Sequence, residues 1–137
     1  MSTEQNKAVV RRFMQEVLVK QNYSILDEVI TTDYVNHGMP GMAISGREGL
    51  LGMQSMLSKQ FPDLKMSFDI LDMIAEGDKV VVRALTRVKN AGKEVSGEGL
   101  GEYRLVNGKI VEDWPLTGAR ELMMQVGIRM PESQTGR

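Results

Sequence analysis

The hydrophobic period of this chain changes at Phe61-Pro62-Asp63, and that change restricts the folds open to it. Before this point apolar residues recur mainly every three or four positions, and after it they mainly alternate. Val9, Val10, Phe13, Met14, Val17 and Leu18 lay an apolar stripe along a helix from Glu4 to Lys20. Ser24 with Asp27 resembles an acidic capping box for a short second helix through Ile25, Leu26, Val29 and Ile30. Ser45 with Glu48 does the same for a third, which carries Leu50, Leu51, Met53, Met56, Leu57 and Phe61. Between these two, Thr31 to His37 is β-branched and aromatic and predicts a strand running into the breaker Gly38-Met39-Pro40-Gly41. Beyond Pro62, Met66, Phe68 and Ile70 alternate with polar residues, and Glu76-Gly77-Asp78 turns the chain into a strand from Lys79 to Val88. Asn90 to Lys93 turns it again into a long strand from Val95 to Val106. Asn107-Gly108 signals a type I′ hairpin into a last strand, Lys109 to Pro115. A short helix from Gly118 to Val126 stops at Gly127. Helices first and an antiparallel meander after mean α+β, with the helices covering one face of a curved sheet.

The chain has 137 residues, enough for one core, so residues 1–130 are expected as one domain with 131–137 as a mobile polar tail. Lys plus Arg number 17 and Asp plus Glu 18, a balance that argues against a nucleic-acid or anionic-membrane surface. The polar Met1 to Lys7 start and the lack of a long apolar run point to a cytoplasmic protein with no membrane span. With no cysteine and one histidine, His37, disulfides, thiolate nucleophiles and zinc clusters are excluded. The expected chemistry is free of metal and cofactor and rests on carboxylates, hydroxyls and one imidazole. Eleven Met stand against three Phe, three Tyr and one Trp, so part of the interior is soft and polarisable. Met14, Met53, Met56, Met123 and Met124 fall on helices, and Met39 and Met42 border the loop after His37.

On the long strand Val95, Gly97, Gly99, Gly101, Tyr103 and Leu105 share one face. Ser96, Glu98, Leu100, Glu102 and Arg104 share the other, a polar face for solvent or a partner subunit. Three glycines on the inward face require a reason, and two compatible ones stay open: a sharp bend of the sheet, or room for a ligand. If Lys89 pairs with Glu94, Arg83 and Arg87 lie on the outer face with Glu98 and Glu102, within reach of diagonal ion pairs. A one-residue bulge would instead turn Arg83 inward.

Several strings resemble the SnoaL-like polyketide cyclase (ester cyclase) branch of the nuclear transport factor 2-like superfamily. They are Asn6 to Phe13 (NKAVVRRF), Asp33-Tyr34-Val35-Asn36-His37, Gly46-Arg47-Glu48-Gly49, Phe61-Pro62-Asp63, Ala75 to Arg83 (AEGDKVVVR), Gly108 to Trp114 (GKIVEDW) and Leu122 to Pro131 (LMMQVGIRMP). The resemblance implies a cone, a bent antiparallel sheet wrapped round three N-terminal helices with an apolar pocket inside, commonly in a homodimer. It further implies metal-free aldol ring closure of a bulky apolar carbonyl compound, with a carboxylate base and donors for the enolate. In that family the last strand typically reads His-Trp-Asp, the Asp being the base. Here it reads Asp113-Trp114-Pro115, with proline at the position of the base.

Asp113 is one pleat from Pro115 on the same strand face and is the expected replacement base. His37, similar in position to the catalytic Asp of ketosteroid isomerases, is its expected partner in proton transfer. Phe13 stands where the isomerases carry a phenol donor, and Gly101 near their second acid. Phe13, Tyr34, Asn36, Met39, Met53, Gly97, Gly101, Tyr103 and Trp114 are the expected substrate-binding set. Two other classes stay open. One is a non-catalytic ligand-binding or dimeric interaction module that has lost the base. The other is an epoxide hydrolase, suggested by Tyr34-x-Asn36, although Arg83-Ala84-Leu85 and Pro115 lack the two carboxylates such a site needs.

Overall fold

The structure, a computed structural model, describes residues 2–39 and 42–128; the expected tail 131–137 lies outside them. Helix α1 (Thr3–Arg12) opens with a complete capping box. Ser2 Oγ accepts from the Gln5 backbone N–H, while the Gln5 side chain accepts from that of Ser2. The expected single helix to Lys20 changes its winding at Phe13, and Phe13–Val19 is a π-helix whose end is marked by the Lys20 N–H donating to the Gln15 carbonyl. This wider turn carries Phe13, Met14 and Val17 into the core. The expected second helix is shorter than its pattern suggests: a 3₁₀ turn, Tyr23–Ile25, leads into α2 (Leu26–Val29), and Ile30 already belongs to strand β1 (Ile30–Met39). Ser24 bonds Asn22 rather than capping. A short strand not foreseen from the sequence, β2 (Met42–Ser45), pairs back on β1, and α3 (Gly46–Gln60) follows without the expected Ser45 cap bond.

Strands β3 (Lys65–Glu76), β4 (Lys79–Asn90), β5 (Lys93–Val106) and β6 (Lys109–Trp114) form the meander. Asn107 and Gly108 both have positive φ, 50° and 80°, as the type I′ turn requires. The six strands make one curved sheet in the order β2-β1-β6-β5-β4-β3. The sheet is mixed rather than wholly antiparallel, because β1 lies parallel to β6 with Asn36 opposite Asp113. Pairing of β4 with β5 is unbroken from Lys79↔Arg104 to Asn90↔Lys93, so no bulge turns Arg83 inward. Arg83 pairs with Glu98 at 2.8 Å on the outer face, and Arg87 with Asp69.

Phe13, Tyr34 and Tyr103 lie at the centre of the main core, with the Phe13 ring 6.3 Å from Tyr34, tilted, and 6.2 Å from Tyr103, edge to face. Such pairs contribute about 0.5–1.5 kcal/mol beyond their buried area. A second cluster joins Val88 to Leu122, Met123, Val126 and Ile128, docking α4 (Ala119–Gln125) on the sheet.

The inward glycines of β5 serve neither of the two expected ends alone. A Cβ on Gly99 would sit 2.2 Å from the Thr117 carbonyl oxygen, and one on Gly101 would sit 3.2 Å from the Trp114 carbonyl oxygen. The segment leaving β6 doubles back over this bare stretch. There the Thr117 N–H donates to the Leu100 carbonyl and the Thr117 Oγ1 accepts from the Leu100 N–H. Gly97 and Gly101 thus give backbone and Leu122 a seat, and neither lines the cavity described below. Gly99→Ala is expected to destabilise the fold by about 1–3 kcal/mol or more, because backbone must move to admit the methyl group. Gly97→Ala, whose Cβ would stand 3.5 Å from Leu122, should cost clearly less. Urea unfolding of both variants measures the difference.

Candidate active site

β1 and β6 build the site because their parallel register sets Tyr34 and Asn36 on the same side as Asp113. Asp113 is buried, 2% exposed, and lines a cavity of about 1060 Å³. Tyr34 Oη donates to Asp113 Oδ2 at 2.8 Å. Asn36 Nδ2 donates to Tyr34 Oη at 3.0 Å and reaches Asp113 Oδ2 at 3.4 Å. The Gly38 N–H donates to Asn36 Oδ1 at 2.7 Å, which fixes which end of the amide faces the carboxylate. Asp113 Oδ1 has no hydrogen-bond partner. Burial pushes the Asp113 carboxyl up to about 7, and the bond from Tyr34 offsets only part of that rise.

Tyr103 stands directly opposite Asp113 in the β5–β6 register and also lines the cavity. Burial, reinforced by the nearby Asp113 charge, holds both phenols, Tyr34 and Tyr103, well above their ordinary range, so both keep their protons. Among the described residues no side chain takes the Tyr103 hydroxyl, which makes it the free donor nearest Asp113 in the sheet register. Cys, His, Asp and Glu form no group of three or more able to hold a metal among the described residues.

The expected partnership of His37 with Asp113 is not assembled. His37 borders the cavity, but its Nε2–H donates to Glu112 at 2.7 Å and its ring stacks on Trp114 at 5.1 Å, so no hydrogen bond joins it to Asp113. Hydrogen bonds from His37 and Arg104 hold the Glu112 carboxylate below its ordinary value. The Trp114 ring is committed to that stack, and the residue likewise borders the cavity. Asn36, Met53 and Tyr103 line the cavity, whereas Phe13 and Tyr34 pack behind it. The Met39 side chain lies outside the described residues, as does that of Met42. Met14, Met53 and Met123 line the cavity, while Met56 and Met124 are exposed. Several cavity residues went unnoticed in the sequence, among them Arg120, three positions before Met123 and so on the same side of α4.

The model of the SnoaL-like polyketide cyclases matches residues 8–126. The chain belongs to the SnoaL-like polyketide cyclase family. Among solved structures it is similar to IdmH, a candidate polyketide cyclase from Streptomyces antibioticus, at 25% identity and TM-score 0.70 over 90% of this chain and 99% of that one. A candidate SnoaL-like polyketide cyclase from Jannaschia sp. CCS1 shares the fold at 19% identity and TM-score 0.71, covering 93% and 95% of the two chains. An LEH-like epoxide hydrolase from M. tuberculosis does so at 17% identity and TM-score 0.65, covering 82% and 79%. No curated protein matches the chain. No described helix of this SnoaL-like protein is long and apolar enough to cross a membrane.

Burial of Asp113 has a thermodynamic consequence. Its carboxyl holds a proton more tightly when folded (about 7) than when unfolded (3.8). The stability it contributes is present in full below pH about 4, falls as pH rises through the folded value, and is lost above pH 7. The loss is on the order of 4 kcal/mol. Urea unfolding from pH 4 to 8 should show this decline in the wild type, and Asp113→Asn should flatten it.

Proposed function

We propose that this SnoaL-like protein is a cofactor-free acid–base enzyme that cyclises or isomerises a bulky, largely apolar carbonyl compound. The observation that carries the reading is a buried Asp113 with one free carboxylate oxygen and a proton affinity near neutrality, bordering a large cavity opposite a free phenol. Met14, Leu50, Met53, Leu57, Phe61 and Phe68 supply apolar, adaptable walls.

Asp113 Oδ1 takes a proton from the carbon next to the carbonyl. The C–H electron pair moves into the new C–C double bond, and the carbonyl pair moves onto oxygen as an enolate. The Tyr103 hydroxyl donates to that oxygen as charge develops, and Tyr34 with Asn36 holds Asp113 in place through Oδ2. In cyclisation the enolate carbon attacks a second carbonyl and the resulting alkoxide takes the proton back from Asp113. In isomerisation the proton returns to a different carbon. Either way the base ends as it began.

Turnover should rise with pH through about 7, because the ionised carboxylate is the active form. Asp113→Asn should lower kcat by roughly 10²–10⁴ and Tyr103→Phe by about tenfold or more. His37→Ala should leave kcat close to wild type. The ligand is found by denaturing purified protein, identifying what is released by mass spectrometry, and offering it or its precursor back to the native enzyme. Full turnover in Asp113→Asn would remove the base, and retention of an unconverted ligand would make the protein a binding module.

The epoxide hydrolase reading gains from Tyr34 and Asn36 converging on a carboxylate. It loses because Tyr34 donates to Asp113 itself and Arg83 is engaged on the outer face. A homodimer through that outer face is also proposed, where Ile74 (64% exposed) and Leu100 (52% exposed) are apolar among ion pairs. Light scattering should give the mass of two chains, and Leu100→Lys should halve it.

A further inference from the structure

We infer that Arg120 recognises a carboxylate on the ligand, so that the cavity accepts an apolar keto compound carrying an acid group remote from the reacting carbon. This deepens the reading above and rests on it for the reacting end of the ligand.

Arg120 lies on α4, whose Leu122 and Met123 anchor it to the sheet, and it is half-buried against the cavity. Its Nε is buried without a hydrogen-bond partner, and no carboxylate pairs with its guanidinium among the described residues. The contrast with other arginines is informative. Arg12, Arg47, Arg83, Arg87 and Arg104 each pair with an acid, Arg87 doing so although it too borders the cavity, and Arg11 donates to Met73 Sδ. Glu94 and Glu121 also border the cavity, both exposed, and neither bonds Arg120. Lys65 and Lys89 border it as well, but on exposed strand positions. A planar fork of unmet donors in a partly desolvated wall fits a carboxylate, which takes two parallel N–H bonds from one guanidinium.

The placement of α4 sets the spacing. Thr117 lies over Gly99 and Leu122 over Gly97, whereas Asp113 faces Tyr103, four to six residues further along β5. At about 3.3 Å per residue, the backbone near Arg120 is some 13–20 Å along the strand from the base. A multi-ring or long-chain acid can bridge such an interval within a cavity of about 1060 Å³.

Binding rather than turnover tests this. Anthracene-2-carboxylic acid and its methyl ester are titrated calorimetrically into the wild type, Arg120→Met and Asp113→Asn at pH 8. The wild type should bind the acid about tenfold tighter than the ester. Arg120→Met should remove that preference while keeping the ester affinity within about twofold, which also shows that the variant is folded. Asp113→Asn should keep the preference. Equal affinity for acid and ester in the wild type, no binding of the acid, or a preference that survives in Arg120→Met would each overturn the assignment. Turnover by Asp113→Asn bears on the base alone, so the two readings fail separately.

Discussion

A carboxylate carried into the interior must be held there, and the bond from Tyr34 to Asp113 does so across 79 positions of sequence. Its geometry exists only because β1 runs parallel to β6, with Asn36 opposite Asp113. Parallel neighbours need a long crossover, and here the crossover comprises β2, α3 and the whole β3–β5 meander. The rest of the structure can be understood as the support for that contact. Phe13 packs against the Tyr34 ring and is itself held edge-on by Tyr103, and Gly38 orients Asn36 so that its amide group donates to the same pair.

The contact is only partly compensated. One oxygen of Asp113 receives the phenol and the other receives nothing, so the cost of burying charge persists as a raised proton affinity. A fold that needed only stability would be better served by an apolar residue here. Asp113 borders the cavity, and a carboxyl left partly uncompensated beside such a space is the kind of group that acid–base sites use.

Pro115 marks how this chain differs from the pattern its strings resemble. The position expected for the base is occupied by a ring that packs close to Gly38, where even a Cβ would meet the proline at 2.9 Å. The buried carboxylate stands one pleat back, at Asp113. Beyond Pro115 the chain returns across the glycines of β5, and the same doubling back that closes the core also brings α4 and Arg120 to the cavity wall. Closing the fold and shaping the cavity are thus one event, carried by residues whose contribution is the absence of a side chain.

Much of this was legible in the sequence. The change of period at Pro62 gave the α+β order, Asn107-Gly108 the last hairpin, and the alternation along β5 its inner and outer faces, because local backbone preferences and burial periodicity act over a few residues. The winding change at Phe13, the strand Met42–Ser45 and the early end of α2 at Val29 depend on what those segments pack against, and short-range patterns do not contain that. The same holds at the site. Asp113 was identifiable as an acid on the inward face of β6, since alternation fixes direction along one strand. Whether His37 could join it depended on how β1 sits beside β6, and that register turned His37 to Glu112 and brought Tyr34 and Asn36 in its place. The sequence alone therefore determined which elements form and which way each strand faces; only the tertiary structure decided which side chains meet, because meeting requires register and crossover between segments far apart in the chain.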